Sequence, residues 1–525
     1  MNPCEHGAFG SDPANFVRCL PKQPNQPSDT LLEALAGQIM SLHDTLDAGP
    51  DPEENMFVPA GFTYFGQFID HDLTFDTTST FDGVVPPSNF RTPRLDLDCV
   101  YGRGPLDEPF MYDPSGAFLI EGDVRDPVTG RKDLPRNADD RAIIGDPRND
   151  ENSIVSQIQA GMIRFHNNLA RKISVQTGLA GFPLFHAARN QVRWCYQRII
   201  VEDYLPRIVN KHALRTFDDE RMPNSRGLSK NTEAYLLYKP ENRAALPLEF
   251  GGSIYRFGHS MVRNGYVMQG GAEPVAIFVV DNAEDSLVGA GKVIQQHIIQ
   301  DWRRFFPDSE HESLATGETV IPAPGTAAGI GFANVSPADT IDAPRLQFAY
   351  RIDASVVFPL AHLPASVASD PPPSLILRNL RRGKAFLLPS GQELAKAARA
   401  TRLEDDCLAY RVQVSPVGAE KKQFQYKKID PALVKATPLW FYILAEAQRP
   451  LTRKFGLDKP FDESELKDRS TEFGVQLDGA GGRLMAEVFN ALLDSEAESY
   501  RNHVDAAHWT PPLAKMRMWD LLHFA

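Results

Sequence analysis

Residues 61–73 read GFTYFGQFIDHDL, an apolar segment that nevertheless carries Gln67, Asp70, His71 and Asp72. We expect Pro59 to open a helix here, because its fixed φ suits the first helical turn. On that helix Gln67, Asp70 and His71 stand at i, i+3 and i+4 and share one face. Asp72 points about 100° away from His71, so it can serve a second site.

A second polar cluster, residues 145–152, reads GDPRNDEN and precedes an apolar run with helical spacing. We predict a helix that starts here with Asn149 or Asp150 as its N-cap. Glu151 would then lie in the first turn, where the helix dipole favours a carboxylate. Arg148 supplies the cation that the polar face of the first segment needs.

A third segment, residues 249–261, reads EFGGSIYRFGHSM and contains one histidine, His259. It is apolar, and its glycines leave room for the close approach of a flat group.

Taken together and in this order, the three segments resemble motifs of the animal haem peroxidase (peroxidase–cyclooxygenase) superfamily, over roughly residues 55–400. The resemblance implies a mainly α fold with a helical core around a buried haem, few short strands and long loops. It implies a bacterial-type peroxidase that reduces hydrogen peroxide, with haem b and calcium as cofactors.

On one side of the haem, the resemblance makes His71 the distal histidine and Arg148 the distal arginine. Gln67 corresponds to the glutamine beside the halide and water position. Asp70 and Glu151 correspond to the two carboxylates that form ester links to the haem.

On the other side, His259 corresponds to the proximal iron ligand and Arg256 to the arginine that pairs with a haem propionate. Asn379 corresponds to the amide that accepts the proximal imidazole N–H, and Arg382 to the arginine beside the other propionate.

The resemblance also implies a calcium site, formed by Asp72, Thr92, Arg94 through its main-chain carbonyl, Asp96 and Asp98. A hard divalent cation takes six to eight oxygen ligands, which these residues can supply in large part. Since Asp72 follows His71 directly, a bound ion would also fix the position of the distal imidazole.

The proposed chemistry agrees with these residue types. Heterolysis of a peroxide needs a base that takes a proton from one oxygen and returns it to the other, which a neutral imidazole such as His71 does near pH 7. Arg148 would stabilise negative charge on the departing oxygen, an effect often worth a few kcal/mol. A neutral amide at Asn379 would leave His259 an imidazole rather than an imidazolate, which favours a higher reduction potential and hence halide oxidation.

Each motif also has an ordinary structural interpretation. A lone histidine in a helix is more often a core or surface residue than a ligand. Arg148 and Glu151 could form an i, i+3 ion pair worth about 0.3 kcal/mol, and Asp96 with Asp98 could form a solvated turn. The peroxidase interpretation is favoured because all these alternatives would have to hold at once.

The residue after Glu151 is Asn152, where the mammalian neutrophil member of the family has a methionine that forms a sulfonium link to haem. Without that link we expect bromide, iodide, thiocyanate or small organic donors to be better substrates than chloride.

Three other functions were weighed. A fatty-acid dioxygenase or cyclooxygenase of the same superfamily has a radical tyrosine three residues before the proximal histidine, where this chain has Arg256; Tyr255 is offset by about 100° on a helix. A non-haem metal hydrolase built on His71 and Asp72 would need further histidines, and His43 and His166 are available without a supporting spacing. A non-catalytic binding or adhesion protein would be expected to have lost haem residues, and none is lost.

Composition favours one large globular unit. The 525 residues include 42% hydrophobic residues and 31 phenylalanines, without a linker of low complexity, so we predict a single domain over 1–525, with an extended arm over 1–30 and a helical C-terminal part over 401–525. No apolar run is long enough to span a membrane. The net charge of −13 disfavours nucleic acids and anionic membranes as partners. A monomer is favoured.

The five cysteines show no CxxC spacing, and Cys4 with Cys19 is a conceivable bridge. The N-terminus carries no basic region followed by an apolar core, so a cytoplasmic protein, or one exported by a signal-less route, is expected.

Periodicity predicts helices over 30–46, 59–73, 153–176, 184–209, 248–263, 286–306, 374–382, 391–400, 431–447 and 482–500, with few strands. The stretches 76–137 and 307–344 are rich in Pro, Gly and Asp and are predicted to be long loops.

Overall fold

A computed structural model gives the fold of the chain. It describes residues 14–41, 52–75, 88–127, 130–218, 235–239, 245–278, 286–287, 297–308, 345–365, 367–368, 370–416, 421–467, 476–507 and 516–524. The fold is mainly α, with short strands between and around the helices.

Helices account for most of the regular structure. The α-helices are α1 Asp29–Gln38, α2 Gly61–Leu73, α3 Asp98–Tyr101, α4 Ser153–Thr177, α5 Gly181–Ile199, α6 Leu205–Ile208, α7 Lys211–Asp218, α8 Leu248–Gly252, α9 Phe358–Ala361, α10 Leu375–Ala385, α11 Gly391–Ala397, α12 Pro431–Val434, α13 Leu439–Phe455, α14 Gly479–Ser495 and α15 Met518–His523. A π-helical turn, Ile200–Tyr204, joins α5 to α6. The 3₁₀ segments are Pro109–Met111, Pro147–Asp150, Ile254–Met261, Trp302–Arg304, Asp405–Cys407, Glu463–Lys467 and Asp505–Ala507.

The strands of the described residues are at most six residues long. They are β1 Ala14–Asn15, β2 Met40–Ser41, β3 Glu54–Pro59, β4 Ser88–Asn89, β5 Val124–Asp126, β6 Arg131–Lys132, β7 Gly265–Tyr266, β8 Val275–Ala276, β9 Phe348–Tyr350, β10 Val356–Val357, β11 Ala409–Gln413, β12 Gln423–Lys428 and β13 Phe461–Asp462. They pair as β1–β4, β2–β10, β3–β9, β5–β6 and β7–β8, with β12 between β11 and β13. Only β2 and β10 run parallel.

Helix α2 lies in the centre of the hydrophobic core. It packs against α4, which has more buried residues than any other described helix, and against the 3₁₀ segment Ile254–Met261. Gly61 and Gly66 permit this close packing, because a Cβ at Gly61 would lie 2.6 Å from the Phe305 carbonyl oxygen and one at Gly66 would lie 2.8 Å from the Tyr204 hydroxyl. The polar motif of α2 is therefore held in a rigid environment.

Several local predictions were wrong. Pro59 ends strand β3, and α2 begins at Gly61 after the turn residue Ala60. The N-cap of α4 is Asn152, whose side chain accepts hydrogen bonds from the amides of residues 154 and 155. Glu151 consequently lies before that helix and not in its first turn.

The predicted long helices are more broken than periodicity suggested. The segment 184–209 contains the π-helical turn, 248–263 changes to 3₁₀ geometry after Gly252, and 431–447 divides into α12 and α13 around Pro438. The segment 30–46 ends as a helix at Gln38 and continues into strand β2. Within 286–306 the described residues contain only the 3₁₀ turn Trp302–Arg304.

The C-terminal part is not helical throughout, because β11, β12 and β13 form an antiparallel sheet there. The sheet packs with α13 around a small separate cluster of buried apolar residues that includes Phe424, Tyr426 and Phe461. Residues 76–87 and 309–344, which make up much of the two predicted long loops, lie outside the described residues, as do Cys4 and His43. Among the described helices none is long and apolar enough to cross a membrane.

Candidate active site

Helix α2 has a polar face that opens onto a recess inside the protein. Eleven of its thirteen residues are buried, and the exceptions are Gln67 and Asp70, which stand at i and i+3. Because the helix is otherwise enclosed by protein, their partial accessibility indicates an internal space at this face. His71 is buried beside them.

The orientation of His71 is fixed by two amides. Its Nδ1 lies 2.7 Å from Asn149 Oδ1, and Asn149 Nδ2 donates to Gln159 Oε1 at 2.9 Å. Since the amide nitrogen of Asn149 is used by Gln159, its oxygen must face the imidazole, so His71 donates through Nδ1–H and keeps the lone pair on Nε2. Burial first, and then the charge of Arg148, lowers the pKa of His71 to about 4, which leaves the ring neutral at pH 7.

Arg148 is held in place beside His71 by Asp146. The Asp146 carboxylate accepts hydrogen bonds from Arg148 Nε at 3.0 Å and from Nη2 at 2.7 Å. Nη2 also donates to the main-chain carbonyls of His71 and Thr74, at 3.1 and 2.5 Å. No described residue accepts from Nη1, so this nitrogen remains for a ligand. Burial opposes ionisation of Asp146, but Arg148 and a second arginine lower its pKa well below the ordinary value.

The two predicted ester carboxylates have opposite electrostatic environments. Burial raises the pKa of Asp70, but the charges of Arg256, His71 and Arg148 more than offset this, so the net shift is downward. For Glu151 burial dominates and the pKa is raised, although Arg148 opposes the shift.

Gln67 is tied to the start of α4. Asn152 Nδ2 donates to Gln67 Oε1 at 3.0 Å, while Asn152 Oδ1 caps the helix. Asn152 therefore positions the side chain of Gln67.

The opposite wall of the recess is the 3₁₀ segment Ile254–Met261, which carries His259. The Nδ2 atom of Asn379 lies 2.7 Å from His259 Nδ1. Rotation of this amide by 180° exchanges oxygen and nitrogen without a change of shape, and Oδ1 then accepts from Nδ1–H and leaves Nε2 free. Burial, followed by the charge of Arg256, lowers the pKa of His259 to about 3. A Cβ on Gly258 would meet nothing within 4 Å, so the space beside the histidine is open.

Arg256 links the two walls. Its Nη1 lies 4.0 Å from Asp70 Oδ2, and its main-chain carbonyl accepts a hydrogen bond from Trp440 Nε1 at 3.0 Å. Arg382 is close enough for its charge to lower the pKa of His259. The structure thus brings His71, Asp70, Arg256 and His259 to one recess.

The predicted calcium ligands form a buried acidic cluster at the end of α2. One carboxylate oxygen from each of Asp72, Asp96 and Asp98 lies within 4.8 Å of the others. Two oxygens on one Ca²⁺ can be no more than about 5 Å apart, because each bond is about 2.3–2.6 Å long. Burial first, and then the neighbouring Asp96, raises the pKa of Asp72 to about 7. The geometry therefore fits a divalent cation, which would offset the repulsion.

Two further features fit the same interpretation. The buried hydroxyl oxygen of Thr92 and both carboxylate oxygens of Asp72 accept no hydrogen bond of good geometry from the described residues. Leu95 and Leu97 have φ values of 55° and 63°, a left-handed conformation that is costly for leucine. These turns bring Asp96 and Asp98 to the same side of the loop.

Arg91 connects this cluster to the distal arginine. Its Nη1 lies 3.4 Å from Asp98 Oδ1, and its Nη2 donates at 2.6 Å to Asp146, the residue that holds Arg148. A change at the acidic cluster can therefore reach Arg148 through three successive ion pairs, Asp98–Arg91, Arg91–Asp146 and Asp146–Arg148.

The donor set fits a haem. Two imidazoles on opposite walls each have an amide at Nδ1, polar groups at one edge include two arginines, and the space beside Gly258 is open. A histidine ligand with a hydrogen-bonded Nδ1 and a second histidine on the distal side are what haem ligation and peroxide chemistry require.

The hydrolase interpretation is not supported by the geometry. His71 faces Asn149 whereas Asp72 faces the acidic cluster, so the two do not form one site. His166 uses both ring nitrogens elsewhere, at 3.0 Å from the Tyr101 hydroxyl and 3.0 Å from the Ala117 carbonyl.

This arrangement on a mainly helical fold fits a haem site, and part of the chain is similar to known haem peroxidases. Residues 83–276 match the family model described as animal haem peroxidase. The match includes Arg148, Glu151 and His259, while His71 and Asn379 lie outside it. Over these residues, which make up less than half of its length, the chain is therefore similar to animal haem peroxidases.

Two curated proteins show the same relationship. Heme peroxidase 2 of Caenorhabditis elegans is 25% identical over 183 residues, which are 32% of this chain and 23% of that protein. Dual oxidase of Drosophila melanogaster is 25% identical over 130 residues, which are 25% of this chain and 7% of that protein. The matched part of the chain thus spans less than a quarter of each relative.

Solved structures share the fold over nearly the whole chain. Peroxidase A from Dictyostelium discoideum matches with a TM-score of 0.53 and 15% identity, covering 94% of this chain and 89% of that one. Fatty acid α-dioxygenase from Arabidopsis thaliana matches with a TM-score of 0.54 and 14% identity, covering 98% and 78%. At these identities the likeness concerns the fold.

Four positioning residues were missed at the level of sequence: Arg91, Asp146, Gln159 and Trp440. Two of them had a signal in the sequence. Gln159 is an amide within the otherwise apolar stripe of α4. Asp146 precedes a proline, as N-cap residues often do. Arg91 and Trp440 act through contacts distant in sequence, for which one chain gives no signal.

Proposed function

We propose that the chain is a haem peroxidase that reduces hydrogen peroxide, with His71 and Arg148 on the distal side and His259 as the iron ligand. The observation that supports this most strongly is the hydrogen-bond chain from Gln159 through Asn149 to His71. It leaves Nε2 of a neutral imidazole available in the recess that His259 also faces.

His71 acts as a proton carrier in this proposal. Its Nε2 accepts the proton of one peroxide oxygen and returns it to the other, while Nδ1–H stays bound to Asn149. Because the pKa of His71 is about 4, the protonated ring is a strong acid and gives the proton back readily. Arg148 offers Nη1 to the oxygen on which negative charge develops, and Asp146 keeps the guanidinium there without reorganisation.

His259 and Asn379 hold the other face. When bound, the haem iron supplies the oxidising equivalents that peroxide delivers. The neutral amide keeps His259 an imidazole, and Arg256 and Arg382 provide positive charge for the propionates.

We assign Asp70 and Glu151 to ester links with the haem. Asp70 lies near Arg256, whose charge favours its carboxylate form, and Glu151 lies near Arg148. Replacement of both should make the haem extractable by acidic organic solvent, and unchanged retention would refute the assignment.

We assign the cluster of Asp72, Asp96 and Asp98, with Thr92 and the Arg94 carbonyl, to calcium. The support is the short separation of the three buried carboxylates and the Thr92 hydroxyl without a hydrogen-bond partner. Calcium would hold the C-terminal end of α2 and thereby His71.

The donors proposed are bromide, iodide, thiocyanate or small organic molecules near Gln67. Oxygenation of a fatty acid is the second candidate, because fatty acid α-dioxygenase shares the fold. It is less favoured: the position three residues before His259 is Arg256, and Tyr255 is engaged with Tyr204 at 3.3 Å and with the Gly66 carbonyl at 3.1 Å.

A donor comparison tests the proposal. The haem-loaded protein should consume peroxide with bromide and with a phenol, and it should leave palmitate unchanged. Substantial chloride turnover at neutral pH would contradict the halide preference, and oxygen consumption with palmitate in preference to peroxide turnover would contradict the peroxidase function.

A further inference from the structure

A second cavity lies between strand β6 and helix α4, away from the haem site. Its volume is about 80 Å³, and it is lined by Arg131, Gln157, Gly161, Arg164 and Trp302 among others. On α4, positions 157, 161 and 164 fall within a stripe of about 60°, whereas Gln159 points to the opposite side, toward His71. The cavity is therefore a separate site on the other face of the helix.

The cavity contains two guanidinium groups that no described carboxylate pairs with. Arg131 Nη1 is buried and has no hydrogen-bond partner among the described residues. Arg164 donates through Nη2 to the Leu522 carbonyl at 2.5 Å, and it forms no ion pair in the part of the chain described. Burial, followed by the charge of Arg164, lowers the pKa of Arg131 to about 10, so the two cations repel each other.

Three arginines with buried side chains among the described residues are neutralised by ion pairs. Arg263 and Arg345 both pair with Glu54, at 2.6 and 2.7 Å, and Arg411 pairs with Glu53 at 2.6 Å. Arg131 and Arg164 are partly buried, and although Asp301 and Asp126 act on the first and Glu121 on the second, burial still lowers the pKa of both. Desolvated cations without an ion pair favour an anion as the ligand of the cavity.

The lining also indicates which kind of anion fits. The partly exposed Glu121 and the buried Asp133 also line the cavity, paired with Lys132 and Arg136, and their negative charge disfavours a dianion. The ring of Trp302 lies 5.9 Å from the guanidinium carbon of Arg131 and offers an apolar surface. A water needs about 10–15 Å³ of such space, so the cavity has room for roughly six non-hydrogen atoms.

We propose that the cavity between Arg131 and Arg164 binds a small organic monocarboxylate. The planar guanidinium of Arg131 presents two N–H groups in the spacing of a carboxylate, and the apolar part of the ligand lies against Trp302. The rim residues Gly130 and Lys132 are exposed, so the cavity opens to solvent. Bound ligand would bridge β6, α4 and, through Arg164, the C-terminal helix.

Calorimetric titration at constant ionic strength tests the proposal, with isobutyrate, which has six non-hydrogen atoms, and inorganic phosphate as probes. We expect isobutyrate to bind with a dissociation constant of millimolar order or tighter and phosphate to bind at least tenfold more weakly. Arg131→Gln and Arg164→Gln should each weaken isobutyrate binding at least tenfold. The control is Arg171→Gln, which removes an exposed arginine from the same helix and should leave binding unchanged.

Absence of isobutyrate binding to the wild-type protein at 50 millimolar would overturn the proposal. A dissociation constant of that size corresponds to a binding free energy of roughly −2 kcal/mol. Equal affinity in Arg131→Gln and Arg171→Gln would also overturn the proposal, and tighter binding of phosphate would overturn the choice of a monocarboxylate. Circular dichroism identifies a variant that fails to fold. In that case saturation-transfer NMR on the wild-type protein, with phosphate as competitor, decides between the two anions. The haem site is not involved, so failure here leaves the proposed peroxidase function untouched.

Discussion

The two histidines of the site are held in different ways. His71 stands on a regular helix, and the amide of its partner Asn149 is held on its other side by Gln159. His259 stands on a 3₁₀ segment, and the other amide atom of its partner Asn379 makes no hydrogen bond to a described residue. The side of His71 is thus preorganised by protein, whereas the side of His259 would be completed by the iron that we propose it binds.

The largest expected effect follows from removal of the proximal histidine. His259→Ala should lose most of its haem, because no other described side chain on that wall replaces the iron ligand. Haem content after gel filtration and the Soret absorption measure this, with the exposed His362→Ala as control. Haem retention and a spectrum equal to those of the control would show that His259 is not the ligand.

Removal of the distal histidine should leave haem binding intact and slow the reaction with peroxide. General acid–base catalysis by a positioned imidazole typically contributes about 10²–10⁴-fold, so His71→Ala should lose a factor in that range. Stopped-flow absorption with peroxide measures it. A wild-type rate in this variant would exclude His71 as the base.

Loss of the hydrogen bond between Gln159 and Asn149 should slow the reaction with peroxide less than loss of His71 does. Gln159→Leu removes the acceptor for Asn149 Nδ2, so Asn149 can turn and His71 can adopt the other tautomer. Loss of such a supporting residue typically costs about 10–100-fold. Gln159→Glu keeps an acceptor and should restore most of the rate. Equal rates in Gln159→Leu and wild type would show that Asn149 needs no anchor.

The smallest expected effect comes from removal of calcium. Chelation should lower the melting temperature by about 2–3 °C, if calcium saturates its site about a hundredfold above its dissociation constant. It should slow peroxide reduction several-fold, because Asp72 follows His71 and Arg91 leads to Arg148. Asp96→Asn should abolish the response to chelator, while the exposed Asp405→Asn should retain it. A melting temperature independent of chelator in the wild type would contradict the calcium assignment.

The sequence was sufficient to predict the mainly α fold, because the motifs of residues 61–73, 145–152 and 249–261 occur together in one superfamily. It also identified residues that the structure brings together: Asp70 and His71 are adjacent on one helix, and His259 follows from the resemblance of the third motif. The helix bounds were less well predicted: Pro59 suits a strand end as well as a helix start, and Asn152 competed with Asn149 as the cap of α4.

What could not be predicted was the support of the site by distant residues. Trp440 reaches Arg256 across 184 positions, and Arg91 reaches Asp146 across 55. Such contacts depend on how the helices pack, which local periodicity does not specify. The sheet β11–β12–β13 was missed for the same reason, because its pairing is set by tertiary contacts as much as by propensity.

An experimental structure of the haem-loaded protein is the most direct test of the central claim. The account predicts iron bonded to His259 Nε2, with His71 Nε2 and Arg148 Nη1 on the opposite face of the porphyrin. Iron held by another side chain, or a porphyrin bound away from the recess between α2 and the segment Ile254–Met261, would contradict it.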